Sequence, residues 1–207
     1  MSVACGAGPI ENLQLKWQGV GAAPTPSPYV GQAFASTPIA FGLRDVRPEP
    51  TAVGVQEDGG VVVRTADNVA QFCSGKMGEL LRAAGARLDE SPAAVVETDL
   101  VEYKVNEGGK YVGVAAIRVT VRRGGSPDWS QTYQGTSNRW GKSHSPDNFN
   151  EALSNALHDA TEHLIQDDAF AAALTGAPPP AAGASFKVDV RVDHTTESPP
   201  GPPAPGC

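Results

Sequence analysis

Three side chains on one predicted helix have the chemistry of zinc ligands. They are His158, Glu162 and His163. His158 and Glu162 are four residues apart and share a helix face, whereas His163 is five residues from His158 and lies about 140° round the helix. Two histidine ligands on one zinc-binding helix need a spacing of four residues. The spacing therefore favours a solvated polar helix face over a metal site.

A glycine–lysine–serine sequence, Gly141-Lys142-Ser143, lies between a predicted strand and a predicted helix, where a phosphate-binding loop would lie. The preceding glycine is Gly135, so five residues separate the two glycines, whereas the phosphate-binding motif has four. No apolar strand ending in aspartate follows to bind magnesium. We interpret the segment as the loop that enters a helix.

The remaining candidates do not form a recognisable active site. No serine lies in the G-x-S-x-G sequence of a nucleophile elbow, and His144 and His194 have no identifiable partner. Asp45 and Arg47 share a strand face and could pair with each other or contact a ligand, and we favour a structural role. The sequence thus predicts no catalytic residue, no metal, no cofactor and no enzyme activity.

Charge and hydropathy exclude two classes of interaction. The chain has 207 residues, with 16 Lys and Arg against 23 Asp and Glu, so its net charge is −7. Binding to nucleic acid and electrostatic docking on an anionic membrane both need clustered basic side chains. A membrane-spanning helix needs a run of about eighteen or more apolar residues, which the sequence does not contain. We therefore expect no nucleic-acid partner, and contact with a membrane only through a lipid anchor.

The three cysteines lie in different contexts. Cys73 lies on the apolar side of a predicted helix, where a free thiol acts as a small hydrophobic group. Cys5 and Cys207 lie in opposite terminal segments and could form a disulfide, but an odd number of cysteines leaves one thiol unpaired. No C-x-x-C pair is present, which excludes a zinc site made of thiolates.

These side chains are positioned by a predicted sheet whose centre is the stretch from Ala93 to Trp140. It contains three successive strands, Val95–Val105, Tyr111–Arg122 and Trp129–Ser137, separated by turn sequences. In the second strand Ile117, Val119 and Val121 alternate with polar residues, which is the period of a sheet with one buried face. Such a meander needs helices to cover its apolar face.

Two helices are predicted to give that cover. The first runs from Thr65, its predicted N-cap, to Ala84. The second begins at Ser145-Pro146-Asp147 and breaks near Asp167-Asp168, before a short segment that ends at Gly176. Short strands at Ile39–Leu43, Val53–Val55 and Val61–Val63 precede the first helix. The predicted fold is α+β: an antiparallel β-meander sheet covered by two helices, forming a two-layer sandwich.

Proline and glycine divide the chain into three parts. Residues 37–175 form the predicted packed domain. Residues 1–36 are predicted to be a Pro- and Gly-rich tether, in which Leu13, Leu15 and Trp17 alternate with polar residues as in a short strand. Residues 176–207 form a Pro-rich tail, in which residues 185–193 could add an edge strand to the sheet.

Part of the central chain resembles a known family. The matching residues are Glu79 to Gly85, the meander from Val95 to Arg122, Ala152 to Leu157, and Gln166-Asp167-Asp168, together with Asp45-Val46-Arg47 and Val53-Gly54 near the start. Over residues 39–174 the chain resembles the YajG-like family of uncharacterised bacterial lipoproteins. The resemblance implies a location in the cell envelope, and it transfers no catalytic residue.

The resemblance also implies a lipid anchor. In that family a lipidated cysteine lies near the start of the chain, and Val3-Ala4-Cys5-Gly6 is similar to the end of a lipoprotein signal. No basic or apolar segment precedes Cys5, as an export signal requires. Three explanations are open: the signal was removed from this sequence, the true start lies upstream of Met1, or the protein is not exported.

The location follows from Cys5. A lipidated Cys5 would anchor the domain to the outer membrane on its periplasmic side, and the Pro-rich segment would hold the domain away from the bilayer. An unmodified chain would be cytoplasmic.

The implied function is non-catalytic binding of another envelope component, a protein or a lipid. The polar strand Trp129–Ser137 is the predicted sheet edge, where an extended partner could add main-chain hydrogen bonds. Trp129, Tyr133 and Trp140 are candidate contact residues, although core packing explains them at least as well. Two alternatives are an auxiliary lipoprotein of a lipid or lipopolysaccharide transport system, by analogy of fold, and a hydrolase or metal enzyme, for which the sequence offers no cluster of titratable groups.

Overall fold

The computed structural model describes residues 10–56, 60–124, 128–141 and 144–177. The elements in chain order are α1 (Pro28–Ser36), β1 (Ile39–Asp45), β2 (Ala52–Gln56), β3 (Val61–Arg64), α2 (Val69–Ala83), β4 (Ala94–Glu107), β5 (Lys110–Arg122), β6 (Trp129–Trp140), α3 (Pro146–Gln166) and α4 (Asp168–Thr175). Within these residues the strands form one mixed sheet in the order β3-β2-β4-β5-β6, and β1 also pairs with β4. The helices pack on this sheet.

The predicted meander is confirmed. β4 pairs antiparallel with β5, and β6 pairs antiparallel with β5 along the whole length of β6, with Trp140 opposite Lys110. Ile117 and Val119 are buried while the intervening Arg118 is exposed, as the alternation predicts. Among the described residues, β6 is the last strand at its side of the sheet.

Strands β1 and β2 lie end to end along the other side of β4. β1 pairs in parallel with Ala94–Leu100, and β2 pairs in parallel with Val105 and Asn106. The sheet is therefore mixed, with parallel pairs added to the antiparallel meander. β4 contains a bulge between Leu100 and Glu102, at the gap that separates β1 from β2.

Helix α3 lies very close to the sheet because two strand residues have no side chain. A Cβ atom at Gly135 would lie 2.1 Å from the carbonyl oxygen of Ala156, and one at Gly113 would lie 2.3 Å from that of Ala152. Apolar side chains of the helices fill the space between the layers; among them are Met77, Leu81, Phe149, Leu153 and Leu157. The predicted α+β fold with two layers is confirmed.

The N-terminal segment differs from the prediction. Residues 10–22, which we call the strap, pack against the domain, and Leu13 is completely buried. Side chains bond the strap's main chain: Leu15 N–H donates to Asp67 at 2.7 Å, and Lys16 N–H donates to Asn150 at 2.9 Å. The alternation of apolar residues in the strap is real, but the strap is not a strand.

Helix α1 also differs from the predicted tether. It begins after an N-cap, Ser27, whose hydroxyl accepts a hydrogen bond from Val30 N–H, and Val30 and Phe34 are completely buried. Phe34 packs edge-on against Phe170 of α4, with ring centroids 6.1 Å apart. The prediction of a tether over residues 1–36 is therefore wrong for residues 10–36, because these residues supply part of the core.

The predicted start of the second helix is correct, whereas that of the first helix is too early. α2 begins at Val69, later than predicted, and its N-cap is Asn68, whose side chain accepts a hydrogen bond from Gln71 N–H at 3.0 Å. α3 begins at Pro146 as predicted, and Asp167 separates it from α4. None of the described helices is long and apolar enough to cross a bilayer.

Several sequence predictions concern residues outside the described ranges. Cys5, Cys207 and the possible edge strand over residues 185–193 all lie there. Lys142 and Ser143 of the helix-entry loop lie there as well.

Candidate functional site

A groove of about 490 Å³ lies on the face of the sheet opposite the helices, where β1 ends and β2 begins. Its apolar lining includes Val55, Val62 and Val101, which come from three different strands. Val62 and Val101 are each 41% exposed. Exposed apolar side chains that share one surface depression are typical of a contact site.

The groove exists because two interruptions of the sheet coincide. The bulge adds Val101 to β4 after the buried Leu100, so Val101 and Glu102 both reach the open face. Pro48 and Pro50 follow β1 and cannot donate to a strand ladder. The chain therefore leaves β4 before β2 joins it, and the gap exposes Val101.

The floor of the groove is closed by Arg47. Its Nε and Nη2 atoms donate to the two carboxylate oxygens of Asp45 at 2.8 and 2.7 Å. Its Nη1 atom donates to the carbonyl oxygens of Ala52 and Tyr103 at 2.8 and 2.9 Å. Both charged side chains are more than nine-tenths buried. Arg47 therefore satisfies main-chain groups that a neighbouring strand would otherwise bond, which is a structural role.

Charged side chains of both signs form the rim of the groove. Lys104 Nζ lies 2.7 Å from Glu102, and Arg64 Nη2 lies 3.0 Å from the rim residue Glu49. These pairs are exposed, so each contributes about 0–1 kcal/mol to stability. As a result, both positive and negative side chains border the apolar centre of the groove.

A second charged group lies farther along the same face. Asp99 lies between Arg44 of β1 and Arg118 of β5 and forms ion pairs with both. Hydrogen bonds from Arg44 and from Arg118 lower the pKa of the Asp99 carboxyl, against the opposing effect of its burial. The open face is thus apolar around the groove and charged around Asp99.

Cys73 lies in the core near Arg47 and Tyr103. Burial raises the pKa of its thiol to about 12. Burial also raises the pKa of the Tyr103 phenol. The thiol is therefore neutral near pH 7 and acts as a small apolar group rather than as a nucleophile.

The structure does not bring together the three aromatic residues predicted as contacts. Tyr133 is buried, and its hydroxyl donates to Asp167 at 2.7 Å. Trp129 packs against Phe170, with ring centroids 6.1 Å apart. Trp140, at the other end of β6, is 83% exposed. Packing accounts for Trp129 and Tyr133, and Trp140 stays a candidate contact residue.

Side chains of α3 occupy part of the β6 edge. Thr136 N–H donates to Asp159 at 2.8 Å, and His163 Nδ1 bonds the carbonyl oxygen of Gln134 at 2.9 Å. An added strand cannot pair with these two main-chain groups while the side chains hold them. The hypothesis that an extended partner adds along Trp129–Ser137 is thus restricted to the residues before Gln134.

The histidines of α3 have separate partners. His158 Nε2 lies 3.0 Å from the carbonyl oxygen of Ala22 in the strap, whereas His163 bonds β6. Within the described ranges, no group of three His, Cys, Asp or Glu side chains is placed to hold a metal ion. No sequence pattern indicates the bond from His158 to the strap, because the sequence predicts a tether over these residues.

His144 joins the loop before α3 to the end of the sheet. Its N–H donates to the buried carboxylate of Glu107 at 3.1 Å, its Nδ1 lies 3.1 Å from the same carboxylate, and Gln56 Nε2 lies 3.2 Å from that Nδ1. The φ angle of His144 is +44°, in the left-handed region that few residues adopt. These contacts hold the loop in place, and no sequence pattern indicated them because the partners are distant along the chain.

Comparison with known proteins identifies solved structures with a similar fold. No family model and no curated protein matches the chain. The crystal structure of a DUF330 protein from Xanthomonas campestris is 13% identical, with 70% of this chain and 91% of that chain covered and a TM-score of 0.50. At this identity the likeness shows a shared fold.

Two further solved structures are less similar. A PelC dodecamer from Paraburkholderia phytofirmans is 11% identical, with 71% of this chain and 96% of that chain covered and a TM-score of 0.39. A candidate lipoprotein from Caulobacter crescentus is 11% identical, with 73% and 98% covered and a TM-score of 0.37. Neither of the two is named as a YajG-like protein, and at these scores neither adds to the argument.

Proposed function

We propose that this chain is a non-catalytic domain of the bacterial cell envelope, anchored through a lipid on Cys5, that binds another envelope protein through the groove at Val101. Support for the anchor comes from Val3-Ala4-Cys5-Gly6, which is similar to the end of a lipoprotein signal. The YajG-like resemblance over residues 39–174 supports the envelope location, on the periplasmic side of the outer membrane.

The groove is the observation that carries the binding proposal. An apolar centre with a rim of charged and polar groups is the usual anatomy of a protein–protein contact. Because Arg47 already bonds carbonyl groups at the floor, the groove offers apolar surface rather than unpaired main chain. We therefore expect a partner that inserts apolar side chains between Val62 and Val101, rather than one that adds a strand.

An auxiliary role in lipid or lipopolysaccharide transport is the second candidate, and the volume of the groove favours it. About 490 Å³ lies within the range of about 300–1,000 Å³ found for small-molecule sites, so an acyl chain is a possible occupant. The ion pairs Lys104–Glu102 and Arg64–Glu49 favour the protein partner, because an acyl chain has no groups to complement them.

Photo-crosslinking in living cells separates these possibilities. A photoreactive amino acid at Val101 should give one protein adduct, and Val62→Asp in the same chain should abolish it. The matched control is the same amino acid at Thr132, an exposed residue of β6 on the same face of the sheet. A lipid adduct at Val101 would replace the proposal with the transport role, and equal adducts at Val101 and Thr132 would overturn it.

A further inference from the structure

Only a short segment separates Cys5 from the packed domain. Ile10 N–H donates to the side chain of Gln56 at 2.8 Å, and Leu13 N–H donates to the carbonyl oxygen of Arg64 at 2.8 Å. Ile10, the first described residue, is thus already packed and is 8% exposed. The five steps from Cys5 to Ile10 span at most about 18 Å when the chain is fully extended.

The Pro-rich segment cannot act as a spacer, because it belongs to the packed part. The strap carbonyl of Ala22 bonds His158, and Ser27 N–H donates to the carbonyl oxygen of Ile165 at 3.0 Å. The Ser27 hydroxyl also bonds Asp168 at 2.7 Å. The expectation that this segment holds the domain away from the bilayer is therefore wrong. A lipid on Cys5 would keep the domain next to the membrane.

Ile10 lies at one end of the sheet. Its partner Gln56 is the last residue of β2 and pairs with Val61, the first residue of β3. At the same end, β4 finishes at Glu107, opposite the start of β5, and β6 finishes at Trp140, opposite Lys110. We call this the Ile10 end of the sheet; its residues are Ile10, Gln56, Val61, Glu107, Lys110 and Trp140.

The exposed side chains of this end suit the boundary of a bilayer. Trp140 is 83% exposed and Val61 is 45% exposed, and both are among the few large apolar side chains that the described residues leave exposed. Tryptophan is enriched where membrane and water meet, because its ring is apolar and its N–H is a hydrogen-bond donor. The exposed Lys110 beside Trp140 can keep its charge in the headgroup region while its stem lies on apolar surface.

We propose that the Ile10 end of the sheet contacts the bilayer, with Trp140 and Val61 in the headgroup region. This inference rests on the proposed anchor at Cys5. Ile10 lies at the end of the sheet where these side chains are exposed, and Cys5 is within about 18 Å of Ile10 along the chain. The strands then point away from the membrane, and Gln131, nine residues before Trp140 on β6, lies about 30 Å farther out.

Fluorescence quenching tests the orientation. The lipidated protein is reconstituted in phosphatidylcholine vesicles that contain doxyl-labelled phosphatidylcholine, which quenches tryptophan near the headgroups. Wild type should lose more of its fluorescence than Trp140→Phe. The matched control is Gln131→Trp in the Trp140→Phe chain, which should show no added quenching. Equal quenching of wild type and Trp140→Phe, with both proteins bound to the vesicles, would overturn the inference.

A second preparation separates this inference from the proposed function. A Cys207→Ser chain is coupled through Cys5 to a maleimide lipid, and the buried Cys73 does not compete. Quenching of Trp140 in this chain supports the orientation. If the natural protein nevertheless carries no lipid, that result overturns the proposed function alone. A natural protein that is lipidated but shows no quenching of Trp140 overturns the orientation alone.

Discussion

Asp45 and Arg47, two residues apart at the end of β1, form a buried ion pair in the gap between β1 and β2. The guanidinium also bonds the carbonyl oxygens of Pro50, Ala52 and Tyr103. These groups belong to the loop after β1, to β2 and to β4. A single side chain thus joins residues of β2 and β4 that lie before the paired part of these two strands, and it supports the groove from beneath.

Replacing Arg47 with methionine should strongly destabilise the protein. Asp45 would then keep a buried charge without a counter-ion, and breaking a buried pair in this way costs about 3–5 kcal/mol. Urea unfolding followed by circular dichroism measures the change in the free energy of unfolding. The control is Arg44→Met, since Arg44 is 71% exposed and an exposed pair contributes about 0–1 kcal/mol. Equal losses in the two variants would contradict the role of Arg47.

A methyl group at Gly135 should disturb the packing of α3. The Cβ atom of Gly135→Ala would lie 2.1 Å from the carbonyl oxygen of Ala156, which belongs to a helix backbone and cannot move easily. We expect a loss of about 1–3 kcal/mol or more in unfolding free energy. Gly42→Ala on β1 is the control, because no atom lies within 4 Å of its added Cβ. Similar stability of the two variants would show that α3 does not approach β6 this closely.

Truncation of the N-terminus tests whether the strap and α1 are needed for the domain to fold. A chain that begins at Ile10 keeps the strap and α1 and is the reference for thermal unfolding. A chain that begins at Thr37 loses the buried side chains of Leu13, Val30 and Phe34, each worth about 1.5–3 kcal/mol. Their sum is comparable with the whole stability of an ordinary domain, about 5–15 kcal/mol, so this chain should fail to fold. If the chain that begins at Thr37 unfolds cooperatively at the midpoint of the reference chain, the predicted start of the packed domain at residue 37 is correct.

Stability should fall as the pH rises above 9, partly through Cys73. Burial raises the pKa of this thiol from 9.0 in the unfolded chain to about 12 in the folded chain. Below pH 9 both states keep the proton; above it the unfolded chain loses the proton first, and the unfolding free energy decreases by about 1.4 kcal/mol per pH unit for one group.

Urea unfolding across this range checks the effect. Cys73→Ala should have a lower stability at neutral pH, because it leaves a cavity, but a shallower loss between pH 9 and the onset of tyrosine ionisation at about pH 10. Parallel pH profiles for the two proteins would show that Cys73 does not contribute.

The sequence predicted the helices and strands whose formation depends on neighbouring residues. β5 alternates because one face is buried, and α3 begins where Ser145 and Pro146 indicate a helix start. The strap was missed because its hydrogen bonds go to side chains distant in the sequence, such as Asp67 and Asn150. The prolines that follow the strap, Pro24, Pro26 and Pro28, indicate extended chain equally well in a tether and in a packed segment.

The candidate site was less predictable than the fold. The groove depends on β1 and β2 sharing one side of β4, and a sequence does not reveal which strands are neighbours. The consecutive apolar residues Leu100 and Val101 break the alternation of β4, and this is the one local sign of the bulge. The position of Ile10 beside Gln56 is likewise a long-range contact, so the orientation at the membrane could not be anticipated.

The claim that Cys5 carries a lipid anchor is tested most directly by the intact mass of the protein isolated from its natural host, expressed from its own locus with its upstream sequence. We predict a mature chain that begins at Cys5 and carries the added mass of acyl groups. A chain of unmodified mass that still begins at Met1 would contradict the anchor and place the protein in the cytoplasm.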